Sequence, residues 1–114
     1  MSMMNDPYHP ILEQPGEYEV FTLQFWQWPN AESEPFIDIT LKSAAGFRDL
    51  RFLSPKDLEI EKGFPGKTRG FCIFDVSRKG IEGLNVRVDS ISGDAGAVRF
   101  WAREVIKCGR WSRL

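Results

Sequence analysis

Arginine and tryptophan concentrate near the end of this chain in a pattern suited to binding another molecule. Arg99, Trp101 and Arg103 alternate with apolar residues in one run, and Arg87 lies in the apolar run before it. Arginine pairs with carboxylates or phosphates through parallel hydrogen bonds, and it also stacks on an indole. If the two runs are neighbouring strands, these side chains share one face. We predict a candidate interaction surface of Arg87, Arg99, Trp101 and Arg103.

Three uses of this surface fit its residue types. The arginines pair with carboxylates of the same chain, such as Asp89 and Glu104, or the surface contacts another protein chain, since Trp and Arg are enriched in such contacts. The third use is a grip on phosphates. The pI of about 5.8 argues against nucleic acid, because domains that bind it are usually strongly basic.

Trp26 and Trp28 extend the candidate surface to the first strand. Phe21, Leu23 and Phe25 alternate with polar residues and are expected to face the core, which places the two tryptophans on the opposite face. Exposed tryptophans form an apolar patch that a monomer rarely leaves uncovered, or a platform for a sugar ring.

The sequence contains no recognisable catalytic or cofactor constellation. His9 is the only histidine and lies in the N-terminal tail, so a Ser–His or Cys–His pair is not expected. Cys72 and Cys108 are too few for a zinc site and lie in apolar runs, where we expect buried free thiols. Asp75 and Asp89 remain as candidates for acid–base chemistry, although Asp75 is better placed to cap the turn after it. We predict no catalytic residue, no metal, no cofactor and no enzyme activity.

The net charge of −1 conceals two halves of opposite sign. Residues 1–64 contain five Lys/Arg and eleven Asp/Glu, which gives −6, while residues 65–114 contain ten and five, which gives +5. Either the halves pair within one fold or across a dimer, or the basic half forms a surface for an anionic partner.

Length and composition predict one domain rich in strands. The 114 residues suit a single core, and nine Phe and four Trp favour strands over helices. We expect a flexible or surface-draped tail at 1–16, one domain at 17–108 and a frayed end at 109–114. The N-terminus does not resemble a signal peptide, and no apolar stretch reaches the roughly 18 residues that span a bilayer. With free cysteines, this predicts a cytoplasmic protein with no membrane partner.

Alternating apolar residues predict about seven strands. The predicted strands are 17–28, 36–43, 47–53, 57–62, 71–76, 84–91 and 97–108. The run at 71–76 is apolar at nearly every position and predicts a central strand, whereas the alternation fails near Glu104 and predicts a bulge. Glycines at 92–96 predict a hairpin turn.

This pattern predicts a mainly β protein, an antiparallel β-sandwich or an open barrel. At most one short helix is expected, near 54–62 or 77–83, and such a helix would make the fold α+β. The leading function is protein–protein association without catalysis, as a homodimer or with another protein. The alternative is a small-ligand or carbohydrate-binding module that uses exposed Trp and Arg, and an enzyme is less favoured.

Overall fold

The computed structural model describes residues 6–29, 33–64, 70–90 and 97–112, and only the backbone of 110–112. The eight strands of this part are β1 (Glu19–Trp26), β2 (Phe36–Ser43), β3 (Gly46–Leu53), β4 (Lys56–Ile60), β5 (Phe71–Asp75), β6 (Val86–Ser90), β7 (Val98–Ala102) and β8 (Glu104–Ser112). They form two antiparallel sheets, a first sheet in the order β1-β2-β3-β8 and a second in the order β4-β7-β6-β5. The mainly β prediction is confirmed. The sheets are open, as in a β-sandwich, and the described helix is one short 3₁₀ helix at Ser77–Lys79.

The β2–β3 hairpin shows how local sequence sets this fold. Ile37, Ile39 and Leu41 are fully buried and alternate with half-buried residues along β2. Ser43 lies opposite Gly46 in the turn, as the sequence predicts. Period-2 alternation places every second side chain on the core face, so one face of the hairpin is apolar.

The core lies between the two sheets. Phe52 of the first sheet packs edge-on against Phe100 of the second, with ring centroids 5.0 Å apart, and its centroid lies 6.5 Å from that of Phe71. Leu12 and Tyr18, which precede β1, are buried in the same cluster. The N-terminal residues therefore complete the core.

The chain passes from one sheet to the other at two adjacent corners. Ser54 and Pro55 link β3 to β4, and Arg103 links β7 to β8. The amide of Arg103 donates to the carbonyl of Leu53 at 2.8 Å, so the corners are joined. The irregularity predicted near Glu104 is thus the point where the last strand changes sheet.

Strand β1 corrects the predicted core face. Phe21 and Phe25, expected to be buried, are 59% and 49% exposed. The pairing with β2 shifts between Val20 and Thr22, and this bulge adds one residue, so side chains before it change faces. Val20 packs against the core, and Phe21 turns outward. Phe25 lies on the same face of β1 as Leu23, which packs against the core. It is nevertheless exposed, because β1 lies at the edge of its sheet.

Strand β5 corrects the predicted central strand. Phe71 and Ile73 are buried as expected, but β5 is the last strand of the second sheet. Residues 6–18, which we call the N-terminal strap, lie along its outer edge. The amide of His9 donates to Ile73 O at 2.8 Å, and the amide of Phe71 donates to Tyr18 O at 3.3 Å. The strap supplies the backbone partners that an outer strand usually lacks.

The structure also bears on three other parts of the predicted pattern. Leu58 and Ile60, which alternate with glutamates in the predicted strand 57–62, are both exposed in β4, as is the rest of that strand. β8 continues to Ser112, four residues beyond the predicted end of the last strand. The predicted turn at 92–96 lies outside the described residues.

Candidate functional site

Strands β6 and β7 bring part of the predicted arginine surface together. They pair antiparallel with Arg87 directly opposite Trp101, so the condition on which the predicted surface depended, that the two runs are neighbouring strands, is met. Arg99 follows two residues away on the same face of β7, and all three side chains are half-buried. The outer face of the second sheet therefore carries two arginines beside one indole.

These arginines are bound to carboxylates of the same chain. Arg99 donates to Asp89 at 2.8 Å and to Glu61 at 3.1 Å. Arg87 donates to Asp89 at 2.8 Å and lies 3.7 Å from Asp6 of the strap. The hydrogen bonds that Arg99 donates to Glu61 and Asp89 raise its pKa. With Lys79, which lies 3.5 Å from Asp6, three cations and three carboxylates form a connected network, which leaves no excess positive charge for an anion.

Arg103 lies apart from this network, at the corner between the sheets. Its Nε and Nη2 donate to the two carboxylate oxygens of Glu34 at 2.7 and 2.9 Å. Ser54 Oγ donates to the same carboxylate at 2.5 Å. The hydrogen bonds from Arg103 and Ser54 lower the pKa of Glu34 to about 2. Arg103 therefore ties the loop before β2 to both corners.

Trp26 and Trp28 are exposed on the first sheet, with 44% and 40% of their surface accessible. Their rings stack with centroids 6.3 Å apart, and Trp26 also contacts Phe36 at 6.2 Å. They lie on the opposite sheet from Trp101. The six predicted site residues therefore do not form one surface.

The exposed tryptophans belong to a larger apolar feature that sequence reasoning did not predict. We call Phe21, Phe25, Trp26 and Trp28 the β1 aromatic edge. All four are at least 40% exposed, and Phe21 meets Phe47 edge-on at 5.5 Å on the outer face of the sheet. The bulge turns Phe21 outward and the edge position exposes Phe25, and neither feature is visible in local alternation. Trp26 lies on the face opposite Leu23, as the alternation predicted.

Polar side chains of three neighbouring strands line a half-open groove on the outer face of the first sheet. The groove has a volume of about 220 Å3. Its polar lining consists of Thr22 and Gln24 from β1, Asp38 and Thr40 from β2, and Asp49 from β3. The predicted tryptophans and arginines do not line it.

The carboxylates of this groove are held in place. Asp49 accepts a hydrogen bond from Thr40 Oγ1 at 2.6 Å, and Asp38 accepts two from Arg51 at 2.8 and 2.9 Å. Asp49 fits against β8 because residue 109 is a glycine. A Cβ at Gly109 would lie only 2.8 Å from Asp49 Oδ2. The groove is thus rigid on two sides.

The remaining candidates for chemistry have structural contacts. Asp75 accepts hydrogen bonds from the amide and hydroxyl of Ser77 at 2.9 and 2.6 Å, which lower its pKa, so it caps the turn. Cys72 is a buried free thiol, whereas Cys108, expected to be buried, is half-buried and lines the groove. His9 Nδ1 accepts from the amide of Ile11 at 3.1 Å. The described residues contain no group of three or more side chains that could hold a metal ion.

Comparisons with known protein families, with curated proteins and with solved structures found no match to this chain. In the described part of the chain, no helix has the length and apolar character needed to cross a membrane. The chain has the architecture of an antiparallel β-sandwich, and this architecture serves many unrelated functions. Its function must therefore be inferred from its surfaces.

Proposed function

We propose that this protein is a non-enzymatic association module that forms a homodimer through strand β1. The β1 aromatic edge is the observation that carries the proposal. Monomeric proteins rarely leave several large aromatic side chains exposed along an outer strand, because apolar surface and edge backbone groups both favour pairing with another strand.

The other three outer strands differ from β1 in how they are protected. The strap covers β5, β4 carries Lys56, Asp57 and Glu59, and β8 carries exposed Glu104 and Lys107. Charged side chains and covering segments are the usual means of preventing edge-to-edge pairing. In β1 the one charged residue is Glu19, at its first position. Three strands are protected, whereas residues 22–26 of β1 carry no charged side chain and have no covering segment among the described residues.

A second copy of this chain fits the open strand. If two β1 strands pair antiparallel about Gln24, Thr22 lies opposite Trp26 and Leu23 lies opposite Phe25. Each pair then shares one face of the enlarged sheet, and no two charges face each other. Such a two-fold contact is the commonest symmetry among soluble oligomers.

Sedimentation velocity over a concentration series tests this proposal. We expect a monomer–dimer equilibrium, and Trp26→Ala should raise its dissociation constant by at least about tenfold, as truncation of a large aromatic anchor does. Trp101→Ala is the matched control, because Trp101 lies on the other sheet and should leave dimerisation unchanged. A chain that stays monomeric at high micromolar concentration would overturn the proposal. Equal effects of the two substitutions would also overturn it.

Two further expectations remain part of this proposal. Asp75 and Asp89 were the candidates for catalysis. Asp75 accepts a hydrogen bond from Ser77, and Asp89 pairs with two arginines, which supports a role without catalysis. The free thiols Cys72 and Cys108 suit the reducing cytoplasm. A native disulfide between these cysteines would contradict that location.

A further inference from the structure

We propose that the groove on the outer face of the first sheet binds a single neutral sugar ring. This site shares Thr22 and Gln24 of β1 with the proposed dimer contact, but its carboxylates lie on β2 and β3. The groove lies across β1, β2, β3 and β8, and its polar lining comes mainly from the middle strands.

The size of the groove limits its ligand to one ring. Pockets that enclose drug-sized molecules usually have volumes of about 300–1,000 Å3, and this groove has about 220 Å3. A half-open groove of this size accommodates a monosaccharide or the end of a longer chain.

The polar groups of the groove match the hydroxyls of a sugar. Asp49 and Asp38 offer carboxylate oxygens that accept hydrogen bonds, and the Gln24 amide both donates and accepts. Because Arg51 and Thr40 already hold these carboxylates, little side-chain entropy is lost when a ligand binds. A ligand with several adjacent hydroxyls satisfies this arrangement.

The charge and rim of the groove favour a neutral ligand. Arg51 offsets the charge of Asp38, so this pair adds no net charge that would select an ion over a neutral molecule. Trp26 follows Gln24 by two residues on the same face of β1, about 7 Å along the strand. Phe36 lies opposite Trp26, but the Arg51 guanidinium covers its ring at 3.9 Å from the centroid. The half-exposed Trp26 indole is therefore the ring next to this end of the groove that can pack against the C–H face of a sugar.

Titration of the full chain with the methyl glycosides of glucose, galactose, mannose and N-acetylglucosamine tests the proposal. Amide chemical shifts in NMR spectra report where each probe binds. We expect saturable shifts at Thr22, Gln24 and Gly109 with at least one sugar, with a dissociation constant of about 1–10 mM. Asp49→Asn and Thr40→Val should each weaken binding by about fivefold or more.

Asp57→Asn provides the matched control, since Asp57 is exposed on β4 of the second sheet and should not affect sugar binding. Thermal unfolding establishes which variants are folded. If Asp49→Asn does not fold, Thr40→Val alone carries the test. Absence of saturable shifts with all four sugars overturns the proposal. Binding that neither groove substitution weakens would also overturn it. Shifts that spread over the surface without saturation would have the same meaning. Because the two substituted groove residues, Asp49 and Thr40, lie on β3 and β2, dimerisation can fail while sugar binding holds.

Discussion

Glu34 and Arg103 are joined by two parallel hydrogen bonds although 69 residues separate them in the chain. The pair lies at the corners where both chain segments pass between the sheets. Ser54 at the neighbouring corner binds the same carboxylate, so one acidic side chain connects three segments. A planar guanidinium can make this forked contact, and a lysine ammonium cannot.

Replacement of Arg103 by lysine should therefore destabilise the fold while it keeps the charge. We expect Arg103→Lys and Glu34→Gln each to lower the urea midpoint. The double variant should be no less stable than the worse single variant, because both changes remove one interaction. Arg78→Lys, on the exposed 3₁₀ helix, is the control and should have little effect. Additive losses would show that the two side chains act independently.

Acid should weaken the fold through Glu13 and Glu34. Hydrogen bonds from Arg48 lower the pKa of Glu13 to about 2, and those from Arg103 and Ser54 do the same for Glu34. Because both folded-state values lie below the ordinary value of 4.5, the stabilisation is fully present above about pH 4.5 and is lost as pH falls towards 2.

Urea denaturation at pH 7, 4.5 and 2.5 measures this loss. The variant carrying Glu13→Gln and Glu34→Gln should be less stable at pH 7 and should lose less stability on acidification. Glu17→Gln, an exposed position of the strap, should follow the parent chain. An unchanged pH dependence in the double variant would assign the acid sensitivity to other groups.

Gly109→Ala should be more destabilising than Gly83→Ala. Both glycines have left-handed backbones, with φ of +72° and +76°, so alanine costs about 1–2 kcal/mol at either site. A Cβ at Gly83 meets nothing within 4 Å, whereas at Gly109 it meets Asp49 at 2.8 Å. We expect a further loss of about 1 kcal/mol at Gly109 from this overlap. Equal losses would mean that Asp49 moves aside without cost, which thermal unfolding of the two variants will reveal.

Two phenylalanines should differ widely in their importance for stability. Phe52 is fully buried between Phe71 and Phe100, so Phe52→Ala should cost about 3–5 kcal/mol. Phe25 is half exposed, and Phe25→Ala should cost about 1 kcal/mol or less at protein concentrations where the chain is monomeric. Denaturation curves give both values, and a large loss at Phe25 would mean that it packs in the core.

Much of the fold followed from local alternation, and less of the candidate site did. The hairpin of β2 and β3 was predictable because its apolar residues repeat with period 2. The same rule placed Arg87 and Trp101 on the outward faces of their strands, and the structure supplied the register that makes them neighbours. The sequence contained one indication of the groove that was not used. Asp38, Thr40 and Asp49 occupy outward-facing positions of β2 and β3. Nothing in the local pattern showed that a bulge at Phe21 would reverse the start of β1.

By itself, the sequence determined which strands form and which face of most strands is apolar, because side-chain alternation depends on neighbouring residues alone. Only the tertiary structure decided which strands lie at the edges. It placed the strap along the outer edge of β5 and put β1 at the edge of the other sheet, although the sequence of β5 is the more apolar of the two. It also supplied Asp6, Glu34 and Glu61 as partners for the late arginines, so these residues of opposite charge pair within one chain. Such partners are distant in sequence, and the packing of the two sheets brings them together.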